Sequence, residues 1–230
     1  MEAPKRMRLQ TKIVLSVSAI LIALGALAIL LFERYASGPF NPAENTIPNA
    51  LFQSITARTA GFNTVNISAL SPSSRFILIL LMFIGGSPGS TAGGIKTVTI
   101  AVIVMTTIAA LRKRQEVELF RRSVRVVVVG RAVTVTLLFI AVLFTGTLAL
   151  SITENSNFFT MSDIMFEAAS ALGTVGLSTG ITSLLTTVGK LIIIAMMLIG
   201  RLGPLTLLAA LTFNLKPARY NYPQEAVIVG

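Results

Sequence analysis

The feature that constrains this chain most is an internal repeat. Residues Ser54 to Val65 read Ser-Ile-Thr-Ala-Arg-Thr-Ala-Gly-Phe-Asn-Thr-Val, and Ala168 to Thr179 read Ala-Ala-Ser-Ala-Leu-Gly-Thr-Val-Gly-Leu-Ser-Thr. Each copy opens behind a phenylalanine, Phe52 or Phe166, and runs through small residues to Thr-x-Gly. One residue is gapped before the threonines, and the register then holds: Gly61 lies 24 positions before Gly85, and Gly176 lies 24 before Gly200. A repeat of this kind sets the architecture before any single residue does.

What each repeat is made of follows from composition. Hydrophobic residues make up 53% of the 230 positions and charged residues 12%, with mean hydropathy +0.81. That is too apolar for an ordinary soluble domain. The chain has no cysteine, histidine or tryptophan, which excludes disulfides, thiol chemistry and the usual transition-metal ligands. The net charge of +10 does not point to nucleic acid. Thirteen of the 19 basic residues fall in three clusters flanking apolar segments: Lys5 to Lys12, Arg112 to Arg131, and Lys216 with Arg219. By the positive-inside rule these are cytoplasmic, which puts both termini inside. No secretory cleavage pattern is visible. The composition predicts a multi-pass integral membrane protein.

Ile13 to Phe32 is uncharged for 20 residues, enough to cross a hydrocarbon core of roughly 30 Å. After a polar loop, Asn49 to Ala57 is apolar but too short to span. A short helix followed by irregular backbone survives at membrane depth only against protein or water, which describes a re-entrant pore loop. Ser74 to Leu111 is a second span, interrupted at Gly85 to Gly94 by five glycines and Pro88. Proline and glycine should open the helix there. Ala132 to Ile152 is another uncharged span. Met161 to Leu172 reads as a second re-entrant helix, with Ser162 or Asp163 as its N-cap, and Leu191 to Leu215 crosses back. The fold expected is all-α: two parallel span–pore-loop–span repeats, 1–125 and 126–230, with a broken second helix in the first.

The segments Thr59-Ala60-Gly61-Phe62 and Thr174-Val175-Gly176-Leu177 follow the two short helices. A cation filter replaces a hydration shell with backbone carbonyls aimed at one axis, and Thr-Val-Gly after a short helix resembles the carbonyl filter of potassium channels. Glycine permits the backbone torsions this needs, and the helix C-terminus favours a cation. These residues are the candidate ion site, with no side-chain carboxylate required. Alone, Thr-x-Gly is a weak signal; its recurrence at matched spacing is the argument, against two ordinary interhelical loops.

The candidate gate comprises Gly85, Gly86, Gly89, Ser90, Thr91, Gly93, Gly94, Lys96 and Arg201. The glycine-rich stretch lacks the Gly-Lys-Ser/Thr register of a phosphate loop, and a flexible segment in a permeation path suits a gate better than a passive kink. Arg201 falls opposite Gly86 in the repeat, and a mid-membrane arginine should face the pore or a partner. It is expected to hold the loop through its carbonyls. Arg58 is expected to brace the first short helix. No acid–base pair, nucleophile or metal cluster argues for an enzyme.

The Ser-Ile-Thr-Ala-Arg-Thr-Ala-Gly-Phe-Asn-Thr segment, the Gly-Gly-Ser-Pro-Gly-Ser-Thr-Ala-Gly-Gly-Ile-Lys-Thr loop and Gly-Thr-Val-Gly-Leu-Ser together resemble the Ktr/Trk potassium-transporter family. The likeness covers nearly the whole chain, including Tyr-x-Tyr-Pro near the end, and is closest to the third and fourth repeats of the Ktr membrane subunit KtrB. The resemblance implies a potassium-uptake pore in the bacterial inner (plasma) membrane. Four repeats surround such a pore, a broken helix in the third forms the gating loop, and an arginine of the last span reaches toward it. It further implies dimers of complete subunits on a cytoplasmic nucleotide-binding ring of the KtrA type. Nucleotide would then sit only on that regulatory partner; potassium is the transported ion, and no cofactor is expected in this chain. Only two repeats are present. The missing pore half could come from another polypeptide or a second copy, or the chain could be a truncated reading frame. Two other readings stay open: a secondary transporter with discontinuous helices, and a non-conducting membrane scaffold. The parallel repeat and the absence of a membrane-embedded acid count against the former.

Overall fold

The computed structural model describes residues 8–35, 44–114, 116–120, 122–154 and 159–203. The expected C-terminal half of the last span and the Lys216–Arg219 cluster lie outside the described residues, as do Lys5 and Arg6. Seven helices follow in order among those described: α1 Leu9–Tyr35, α2 Ile47–Thr56, α3 Pro72–Phe83, α4 Thr97–Leu111, α5 Val126–Thr153, α6 Met161–Gly173 and α7 Thr187–Leu202. The succession long helix, short helix, single 3-10 turn, helix occurs at α1–α2–α3 and again at α5–α6–α7, the turns being Ile67–Ala69 and Thr182–Leu184.

Among the described residues only α1 and α5 are single helices long and apolar enough to cross a membrane. Their 27 and 28 residues reach about 40 Å. Each carries large apolar side chains on its outer face, including Leu24 and Leu27 on α1 and Phe144 and Leu148 on α5. The third long apolar stretch is divided: α3 and α4 have 12 and 15 residues and neither spans alone.

Four inner helices start at a hydroxyl cap: Thr46 on α2, Ser71 on α3, Thr160 on α6 and Thr186 on α7. For α6 this corrects the expected cap. Thr160 stands at the cap and Asp163 at the third helical position, and each side chain accepts from the other's backbone N–H. Two orphan donors are satisfied at once, which a cap at Ser162 or Asp163 would not achieve. Asp163 also accepts from Arg75 Nη1 at 2.7 Å, tying α6 to α3.

Two corrections concern residue types. The chain is not purely helical: Val117–Leu119 (β1) and Arg122–Val124 (β2) form a small antiparallel hairpin inside the basic connection. Leu119 is buried while Glu118 is exposed, the period-two alternation that favours a strand over a helix. Nor is the second short apolar segment free of a buried acid, since Glu167 lies within α6; Glu33 near the end of α1 and Glu154 just after α5, both outside the expected spans, are buried as well. Glu33 Oε1 accepts from the Ser71 amide and hydroxyl at 3.0 and 2.8 Å. Glu154 Oε1 accepts from the same groups of Thr186 at 3.0 and 2.6 Å. In both halves the first helix ends by holding the start of the third, and hydrogen bonding makes the burial tolerable.

The core lies where α3 and α6 cross. Leu78 and Met82 of α3 and Phe166 and Leu172 of α6 are fully buried. Phe83 meets Phe139 of α5 edge to face, with ring centroids 6.2 Å apart. Thus α6 is wrapped by protein, whereas α2 rests mainly on α1 and keeps Leu51, Phe52 and Ile55 exposed.

Candidate functional site

The two short helices end at the repeated Thr-x-Gly, and both ends share an unusual backbone. Thr59 and Gly61 have φ of 74° and 81°; Thr174 and Gly176 have φ of 53° and 95°. A left-handed threonine is costly, because its branched Cβ crowds the carbonyl. Its occurrence at the same place twice marks a constraint imposed by the surroundings. Reversing the sign of φ at every second residue turns successive peptide groups toward one side. Sequence reasoning identified the glycines as needing this freedom but missed the threonines.

The strained segments are held from behind. In the first, the Thr56 carbonyl accepts from Ala60 and Gly61 N–H at 3.1 and 3.3 Å, and Thr56 Oγ1 donates to the Phe62 carbonyl at 2.5 Å. In the second, Val175 N–H donates to the Ser170 carbonyl at 2.9 Å and Gly176 N–H to Ser170 Oγ at 3.2 Å. The segments also meet each other. A Cβ built on Gly61 would run into the Val175 carbonyl oxygen, and one on Gly176 would lie 3.8 Å from Gly61 Cα. Residues 115 apart in sequence thus face one another at the tips of α2 and α6.

Beside them runs the break between α3 and α4. Ile84 and Ile95 form a parallel bridge, with Ile95 N–H donating to the Phe83 carbonyl at 3.0 Å and Thr97 N–H to Gly86 at 3.2 Å. The chain therefore leaves one helix end and returns beside it, leaving Gly86 to Gly93 as a pinched loop. Four side chains hold that loop. Arg58 Nη2 donates to the Gly85 carbonyl at 3.3 Å, Lys96 Nζ to Ala92 at 2.5 Å and Arg201 Nη1 to Thr91 at 2.5 Å. Thr174 Oγ1 accepts from Gly93 N–H at 3.0 Å. The structure thus brings together Arg201, the loop and the second Thr-x-Gly segment. Arg58, expected only to brace its own helix, reaches across to the start of the break. A side chain at Gly89 would meet open space, Ser90 bonds within the loop to Ser87, and Gly94 takes φ 71°. Gly85 and Gly200, the second matched pair, each sit against a backbone carbonyl, Gly93 and Leu172 respectively, where a Cβ would not fit.

A cavity of about 330 Å³ lies along the second segment, lined among others by Glu167, Thr174, Gly176, Met197 and Arg201. Glu167 was not among the residues singled out from the sequence. Its Oε1 accepts from Ser178 Oγ and from Thr179 N–H (3.2 Å), and its Oε2 accepts from Thr182 Oγ1 at 2.9 Å. A glutamate inside a short apolar helix was the available signal. Among the described residues no group of three acidic side chains could hold a metal ion.

The family model described as TrkH, a cation transport protein, matches residues 4–221. The chain belongs to this family. It is 37% identical over 228 residues to the Ktr system potassium uptake protein B of Bacillus subtilis, covering 98% of this chain and 50% of the relative. It is 36% identical over 233 residues to the potassium/sodium uptake protein NtpJ of Enterococcus hirae, covering 98% and 51%. The crystal structure of the potassium transporter TrkH from Vibrio parahaemolyticus matches with TM-score 0.67 at 23% identity, over 88% of this chain and 44% of that one. The chain spans about half the length of the curated relatives it matches. Membership makes this TrkH-family chain a membrane protein of a cation-transporter class rather than of an enzyme class, and its helical fold is that of TrkH.

Proposed function

We propose that the chain is half of a potassium-uptake pore, organised as two parallel span–pore-loop–span repeats over 1–125 and 126–230. The observation that carries this is the facing pair of left-handed Thr-x-Gly segments. Two helix tips converge, leaving the carbonyls of 59–61 and 174–177 to face the space between them with a partly negative C-terminus behind each; the Phe62 carbonyl, expected to join them, instead accepts from Thr56 Oγ1. Two such segments make half a ring. The other half comes from a second copy, a separate polypeptide or the remainder of a longer reading frame, each of which accords with coverage of half the length of the relatives.

In this reading α3, the break and α4 cross the membrane as one interrupted span, and the Gly85–Gly94 loop with Lys96 and Arg201 closes the path below the filter. The Arg112–Arg131 connection and both termini face the cytoplasm of a bacterial inner membrane. That face would receive a nucleotide-binding regulatory ring of the Ktr kind beneath a dimer of complete pores. Removing water from potassium costs little if carbonyls replace it at once, so the filter needs no acid as direct ligand.

The test is complementation of a bacterium lacking potassium uptake. Expressed together with a polypeptide carrying the other two loops, the chain should restore growth at limiting potassium, and Gly61→Ser or Gly176→Ser should admit sodium. Growth without any change in ion preference in both variants refutes the filter assignment.

A further inference from the structure

Glu167 is a buried carboxylate with no ion-pair partner among the described residues. It is 5% exposed, and its three hydrogen bonds come from neutral donors: two hydroxyls and one amide. The Thr179 amide can only donate, so Oε1 is fixed as an acceptor. Among the described residues the ion pairs are Arg75–Asp163 and Arg114–Glu118, and neither involves this group. Arg58 and Arg201, the cations of the filter region and the loop, bond the backbone carbonyls of Gly85 and Thr91 instead. Glu33 and Glu154 are buried as well, but they hold Ser71 and Thr186 and do not line the cavity along the filter.

Position gives this charge its meaning. Glu167 lines the same cavity as Thr174, Val175 and Gly176, with Arg201 also on its wall. The first repeat has no counterpart: aligned on Phe52 and Phe166, its residue there is Gln53, neutral, 1% exposed, with neither amide atom hydrogen-bonded among the described residues. A fixed charge in a poorly screened interior acts over several ångströms on any ion nearby. We propose that Glu167 is an affinity-setting residue: its negative charge, in no direct ion pair among the described residues, lowers the energy of a monovalent cation resting in the second Thr-x-Gly segment. It does so through its field, without touching the ion. The proposal rests on the pore reading above.

The experiment measures potassium uptake against potassium concentration in cells carrying the complete assembly. Glu167→Gln keeps the size and most of the hydrogen bonding but removes the charge. The half-saturating concentration should rise roughly tenfold, as expected for loss of a unit charge acting through protein of intermediate dielectric. Thr182→Val removes one of the donors that hold Glu167 and keeps the charge, so half-saturation should stay within about twofold. A role confined to holding the 178–182 segment would raise it in both. The proposal is overturned by unchanged half-saturation in Glu167→Gln, or by an equal rise in Thr182→Val. If Glu167→Gln fails to reach the membrane, Gln53→Glu decides instead: a second charge at the matched position of the first repeat should lower half-saturation severalfold, and an unchanged value overturns the proposal. Absence of potassium uptake by the unmutated assembly would instead refute the pore reading.

Discussion

Arg201→Ala tests whether the loop between α3 and α4 is a barrier. Arg201 Nη1 donates to the Thr91 carbonyl across 110 residues of sequence. A hydrogen bond from a charged donor contributes about 1.5–3 kcal/mol, and the solvent-exposed setting argues for the lower end. About 1.4 kcal/mol is a factor of ten, so Arg201→Ala should raise the open population of the loop, and hence potassium flux, by roughly tenfold. Full release is not expected, because Lys96, Thr174 and Arg58 still hold Ala92, Gly93 and Gly85. Deleting Gly86–Gly93 removes the barrier and should raise flux further. The double change should match the deletion alone, since the arginine acts through the loop. Flux into vesicles containing the reconstituted complete pore gives all four corners of this cycle. Lower flux in Arg201→Ala, or effects of deletion and substitution that simply add, would refute the reasoning.

Gly61→Ala should impair selectivity and thermal stability more than Gly176→Ala. Both positions have positive φ, but only at Gly61 does a Cβ collide with a facing carbonyl, and melting of the purified protein with sodium-competition uptake would show the order. Glu154→Ala should lower stability by roughly 2 kcal/mol, because the half-buried Thr186 amide and hydroxyl bonds lose their carboxylate acceptor; chemical denaturation in detergent checks this against an expected shift below 1 kcal/mol for exposed Glu118→Ala. The chain has no cysteine, so Ser123→Cys in the hairpin reports topology alone: an impermeant maleimide should label it in opened but not intact cells.

How much of this was legible in advance differs by element. The long helices α1 and α5, the break in the second span and the short helices before each Thr-x-Gly follow from local rules: apolar length, proline and glycine content, and matched spacing. Arg201 was legible as a partner of the loop because repeat symmetry set it opposite Gly86, and a charge among apolar residues demands a partner. The α6 cap was misread because Ser162 and Asp163 are both good capping residues, and the choice of Thr160 depends on a reciprocal bond with Asp163. The hairpin was hidden by charge: the cluster Arg112–Arg131 reads as solvated connection, and strands of three residues give too short an alternation to detect.

The sequence by itself determined the solvent of this protein and its internal symmetry, since hydropathy, charge placement and repeated spacing are additive along the chain and need no partner in space. Only the tertiary structure decided what each polar group inside does. Glu33 and Glu154 became staples because Ser71 and Thr186 fold back onto them, and Glu167 and Gln53, which share a repeat position, found different surroundings. The left-handed threonines belong here too. A β-branched residue disfavours φ above zero, and Thr59 and Thr174 hold it where the turns closed on Thr56 and Ser170 and the close approach of Gly61 to Val175 confine each segment.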